Sequence, residues 1–197
     1  MASEYDPAFG RGGVSPAAGD LESVQAIFER AAAPYLSSPL PWIVWGIALP
    51  GAALGTRRVL DAAGPRGVLL LWSLTILAAG AIEAAAYARR RRHTEFSSLA
   101  RWVLRAQANL SLIGVLVSAA LLLAGQGRLL PALWLLLLGH SLYGLGGLAS
   151  RPLRTCGLIY QLGGVAALLF AGQAAIVFAV ATAAGNLQVA LALWRRG

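Results

Sequence analysis

From Gly67 to Ala86 the chain reads GVLLLWSLTILAAGAIEAAA, twenty residues carrying one charge, at Glu83. An α-helix rises ~1.5 Å per residue, so a run of this length crosses a hydrocarbon core of ~30 Å. Similar runs fall at 103–124, 129–149, 156–171 and 174–194. A shorter run at 40–55 contains Pro50, which predicts a thinned or tilted first span. Together with 67–88 these predict six spans in an all-α, polytopic membrane helix bundle. Composition agrees: 12% of residues are charged, against about a quarter in a soluble domain.

The net charge of +8 does not point to nucleic acid. Its sixteen basic residues are all Arg and sit at the span ends rather than on a polar domain. Six spans put twelve of them on the side of both termini: Arg11, Arg30, Arg89 to Arg92, Arg101, Arg105, Arg151, Arg154, Arg195 and Arg196. The other side holds four, Arg57, Arg58, Arg66 and Arg128. This imbalance predicts cytoplasmic termini. Trp42, Trp45, Trp102 and Trp194 fall near inner span ends, where indoles favour the headgroup level. The lone Cys156 allows no internal disulfide.

Residues 1–19 are rich in Gly, Ala and Pro and are expected to form a disordered tail rather than a signal peptide. After them, Leu21, Val24, Ile27 and Phe28 recur at the helical period, with Asp20 placed to cap and Pro34 to stop. An amphipathic helix at 20–33 is expected, lying at the cytoplasmic interface as an anchor or docking on a partner. With the arginines Arg89, Arg90, Arg91 and Arg92, its apolar stripe makes a candidate partner surface.

This LExxxxxxER helix, the Leu/Ser/Pro link after it and the basic linker RRRRHTEFSSLARWVLRAQANL resemble an uncharacterised family of six-span bacterial integral membrane proteins. The likeness covers about residues 20–197 and rests on layout, with no catalytic motif. It implies a fold and a location in the bacterial cytoplasmic (inner) membrane, and no activity. Family members that sit beside winged-helix transcriptional regulators hint at regulation.

LLLAGQ at 121–126 returns as LLFAGQ at 168–173, each closing a hairpin between spans, as a duplicated two-helix unit would. The strongly polar span residues are Glu83, Gln107, Asn109, His140, Tyr160, Gln161, Asn186 and Gln188, all central or toward the inner side. They either line a vestibule open to the cytoplasm or hydrogen-bond between helices to fix packing. Glu83, the one acid inside a span, is expected to pair with Arg101, Arg105 or the Arg89 to Arg92 run, the other reading being a proton carrier. His140 either packs or holds a ligand such as a metal or a tetrapyrrole. Gly139, Gly144, Gly146 and Gly147 around it, with Gly163, Ala167 and Ala171 in span five, permit close helix approach.

Catalysis has no constellation to work with. There is no Lys for a Schiff base, no HExxH, and no Asp within a span. Ser141 adjoins His140 in sequence, but helical neighbours point ~100° apart. No cofactor is expected. The sequence therefore predicts a non-enzymatic accessory or regulatory protein whose partners are the bilayer and a protein on the cytoplasmic side, with no nucleic acid. The alternatives are a small transporter or channel with a polar inner vestibule, and a subunit of a larger membrane complex binding a cofactor through His140.

Overall fold

The computed structural model describes residues 38–91 and 98–195, which are helical with no strand among them. The elements are α1 (Leu40–Arg91), α2 (Ser98–Leu123), α3 (Leu130–Ala149), α4 (Arg151–Leu169) and α5 (Ala174–Trp194). The expected helix at 20–33, with Leu21, Val24, Ile27 and Phe28, lies outside the described residues, as do the tail 1–19 and Arg92. Four helical stretches are long and apolar enough to cross a membrane: Leu40–Ala86, Arg101–Leu123, Gly127–Gly147 and Ala171–Trp194.

The first of these is two arms. At Gly64 the backbone turns to φ 64° and ψ −165°, a region essentially closed to residues with a Cβ. Pro65 then starts the second arm, its ring already holding a helical φ and its missing N–H costing nothing there. The arms, 40–63 and 65–91, run antiparallel. The indole of Trp72 donates to the Thr56 hydroxyl at 3.1 Å, and that of Trp45 to the Glu83 carboxylate at 2.8 Å. Both pairs are centred on Gly64. The first arm thus continues past residue 55, where its apolar run ends, and Pro50 sits inside it without ending it.

The second hairpin, α2 with α3, has a different turn and the same clasp. Gly125 (φ 69°) ends α2: its N–H donates to the Leu122 carbonyl, and the N–H of Gln126 donates to that of Leu121. This is a Schellman cap. Across the turn, Trp134 donates to the Ser118 hydroxyl at 3.1 Å, and Ser118 in turn donates to the Gly114 carbonyl at 2.7 Å. Thr56 likewise donates to the Ala52 carbonyl, at 2.7 Å. A hydroxyl that accepts from an indole while donating to its own helix leaves no polar group exposed to lipid. The LLFAGQ copy at 168–173 also closes a hairpin, but with a 3-10 turn at Ala171–Gln173 and no glycine of positive φ.

Packing runs α1 to α5 to α4 to α3 to α2, so α2 follows α1 in sequence yet lies at the opposite end of the row. Hydrocarbon gives no hydrophobic drive between helices, and small residues supply van der Waals contact instead. The closest approach is α3 on α4. A Cβ at Gly146 would lie 2.1 Å from the Arg154 amide nitrogen, and one at Gly157 would lie 2.3 Å from that of Tyr143. Gly139 is similarly tight, whereas Gly144 and Gly147 face open space. On the other flank of α4, Gly185 of α5 makes room for Tyr160 and Cys156. Trp72 of α1 meets Phe178 of α5 edge to face, ring centroids 6.0 Å apart. Large apolar side chains such as Leu69, Leu77, Leu116 and Val180 point outward, as lipid requires.

Gly157→Ala is expected to lower stability in detergent by about 3 kcal/mol or more, because the methyl meets backbone that cannot move aside. Gly144→Ala, facing open space, should stay within about 0.5 kcal/mol of the wild type. Thermal melts of both variants check this, and equal losses would refute the assignment of the tight contact.

Candidate functional site

The eight polar span residues do not gather in one vestibule; the structure distributes most of them among three places. In the first hairpin, Glu83 is half-buried and its Oε2 accepts from Trp45. Among the described side chains its partner is thus an indole of its own hairpin; of the arginines expected beside it, Arg90 to Arg92 have side chains outside that description.

Between α4 and α5 lies a buried polar layer. Tyr160 and Asn186, exposed by only 2% and 3%, lie side by side in it. The Asn186 Nδ2 has no partner among the described residues. The α1 backbone presses on this layer at Gly46, where a Cβ would lie 3.1 Å from that of Asn186. Thr182, one turn before Asn186, satisfies its hydroxyl on the Phe178 carbonyl of its own helix. Two residues beyond Asn186, Gln188 donates to the Pro152 carbonyl at 2.7 Å, tying α5 to the first turn of α4.

The third place is a groove between α2 and α3, with a volume of about 300 Å³, open along its side. Ser141 donates to the Gln107 Oε1 across it. His140, expected near mid-depth within the bundle, is exposed on the groove wall together with Trp102 and Gly144. The groove exists because α2 packs along α3 and makes no comparable contact with any other described helix.

Two residues fall outside all three places. Asn109 is exposed on α2, and Gln161 is half-buried with its backbone against Gly139. Of the candidate partner surface, Arg89 is exposed, and Arg90 and Arg91 occupy the last turn of α1. No group of three or more His, Cys, Asp or Glu side chains converges on a metal-sized position among the described residues. Sequence reasoning missed Trp45, Thr56, Trp72, Ser118 and Trp134 as hydrogen-bonding residues. The signal was present: a buried indole needs an acceptor, and each Trp-hydroxyl pair straddles a turn at a spacing of sixteen residues.

Compared with known protein families, with curated proteins and with solved structures, the chain matches none. The fold and sites define an all-helical protein with the apolar surface of a membrane protein, and its function rests on physical reading alone.

The Trp45–Glu83 bond is expected to show in a double-mutant cycle. Trp45→Phe should cost about 1–2 kcal/mol, the upper range for a charge-assisted bond being reduced by the partial exposure of Glu83. Glu83→Gln combined with it should cost clearly less than the two single losses together. Strict additivity in detergent melts would show that the bond does not hold the arms.

Proposed function

We propose that this chain is a six-span protein of the bacterial inner membrane, with both termini cytoplasmic, that acts without catalysis as an accessory or regulatory component through its cytoplasmic face. The two arms of α1 count as two spans and α2 to α5 as four. Helix α4 is the least apolar, opening with Arg151 and Arg154. It can span nonetheless, because it lies between α3 and α5 and meets less lipid than they do.

The observation that carries this reading is the fate of the polar span residues. Glu83 is bonded by Trp45, Gln107 by Ser141 and Gln188 to the Pro152 carbonyl, each pair separate from the others. A transporter or channel needs such groups to share one water-filled path. Pairs satisfied one by one act as packing elements instead. The activity then falls to the surfaces at the cytoplasmic end, helix 20–33 and the Arg89 to Arg92 run. Expected partners are proteins that dock there.

Affinity purification from native membranes tests this. A stoichiometric partner is expected with the full chain and is expected to be lost when residues 20–33 are deleted or Arg89 to Arg92 become Gln. Solute flux into vesicles holding the pure protein, with no partner recovered, would refute it. Topology has its own check. Cys156 is fully buried, so Ala62→Cys in the otherwise native chain supplies one reactive thiol near the Gly64 turn. An impermeant maleimide should label it in intact cells. Labelling only after permeabilisation would invert the topology.

A further inference from the structure

Helix α2 gives one flank to α3, marked by the Gln107–Ser141 and Ser118–Trp134 bonds. Two residues on from Gln107 a helix has turned by ~200°, so Asn109 points away from that flank. It is exposed and makes no hydrogen bond among the described residues. Its depth makes this costly. The twenty steps from Leu123 back to Val103 cover ~30 Å, the thickness of the hydrocarbon, and Asn109 lies six steps or about 9 Å inside the boundary at Val103. Acyl chains at that level offer neither donor nor acceptor, and an amide left without either is disfavoured.

The residues around Asn109 on this face are ordered. Arg105, Asn109, Leu112, Leu116, Ala119 and Leu123 follow one another at alternating steps of four and three, and all six are exposed. That spacing keeps one seam against a neighbouring helix in a left-handed crossing. The first hairpin shows what the same position carries when lipid is its neighbour. Thr56 to Ser118 and Trp72 to Trp134 are each 62 residues apart, and the same shift relates Asn109 to Ile47, which is exposed and apolar. The clasp between hairpin arms therefore does not require an amide there.

We infer that this face of α2 is the interface with a second copy of the chain, the two α2 helices crossing with their Asn109 amides bonded to each other. Two copies inserted with the same topology are related by a twofold axis along the membrane normal, and such an axis sets each residue near it against itself at the same depth. A carboxamide carries both a donor and an acceptor, so two asparagines can exchange hydrogen bonds. Leu112, Leu116 and Leu123 pair apolar on apolar, and Ala119 lets the backbones approach. Arg105 is the one charge in the seam. It lies about 3 Å inside the boundary, from which a long stem reaches the headgroups and turns away from its twin. The interface goes beyond the accessory role proposed above and does not depend on it, requiring only that α2 crosses the bilayer.

Disulfide trapping of the full-length chain in native membranes tests the inference. Cys156 is fully buried, so Leu112→Cys and Leu116→Cys each supply one reactive thiol. Oxidation should give both a band at twice the 20.5 kDa chain mass, and Val180→Cys, exposed on α5, should give none. Equal trapping at all three positions, or none at the two on α2, would overturn the interface. Energy transfer between labelled copies in vesicles then tests the amide. Asn109→Leu should raise the dissociation constant of the dimer about tenfold, as the loss of an interhelical hydrogen bond in a membrane does, while Asn109→Gln should stay within about threefold. Unchanged association of the Leu variant would refute the pairing. The melting temperature of the monomer guards against misfolding: it should hold or rise with Asn109→Leu, and a fall would show that the amide is bonded within its own chain, which also overturns the inference. A photoreactive benzophenone at position 116 that links only to residues of its own chain, 20–33 among them, would do the same.

Discussion

Two backbones in this bundle pass so close that neither can carry a side chain where they meet. At Gly146 and Gly157 an added Cβ would fall within 2.1–2.3 Å of backbone nitrogen on the facing helix. Lipid tails are as apolar as leucine, so helices in a membrane gain little by hiding leucines from them. They gain from contact area, and glycine gives the largest area at the shortest distance. The α3–α4 pair is therefore the unit on which the remaining helices assemble. Helix α5 docks on its α4 side through Gly185, the first hairpin docks on α5 through Gly46 and the Trp72–Phe178 contact, and α2 leans on the exposed flank of α3.

The hairpins depend on a second constraint, that an indole N–H in hydrocarbon must find an acceptor. Thr56 and Ser118 solve it identically, accepting from Trp72 and Trp134 while donating to a carbonyl four residues back. A shift of 62 residues carries Thr56 onto Ser118 and Trp72 onto Trp134, and it also carries Leu54, Arg66 and Leu71 onto Leu116, Arg128 and Leu133. Such agreement in sequence and in hydrogen bonding is what a duplicated hairpin leaves. It is a stronger trace than LLLAGQ and LLFAGQ, whose turns differ in conformation. The third hairpin, α4 with α5, has no Trp at the matching place; Gly163 meets Ala181 there instead, and small residues take over the role of the clasp.

How much was legible follows from what each signal encodes. Hydropathy records how deep a residue lies, so the apolar runs could be read directly, and the Gly64–Pro65 pair marked a turn between the first two. Hydropathy says nothing about which way a side chain points around its helix. Glu83, Gln107, His140 and Asn186 were read as lying toward one half of the bundle, and that shared depth was read as a shared site. In the structure Asn186 faces Tyr160, Gln107 faces Ser141, and Glu83 turns to Trp45. Those directions are set by which helices pack, and the row α1–α5–α4–α3–α2 could not be inferred from the order of the spans. The same reason hid the groove, since it depends on α2 lying far from α1, its neighbour in sequence.

That displacement gives the molecule an asymmetry with a physical consequence. Helices α3, α4 and α5 contact one another on several sides, whereas α2 is held along one flank by the Gln107–Ser141 and Ser118–Trp134 bonds and by the Trp134 ring lying over Gly114. Its other faces, Leu112, Ile113, Val115 and Leu116 among them, are exposed among the described residues. An element with few protein contacts opens at low free-energy cost. Anything that fills the groove therefore acts on the helix least held by the other described helices. Because α2 begins directly after the basic linker that leaves α1, a shift of α2 would be felt first at the arginine-rich surface through which the protein is proposed to act.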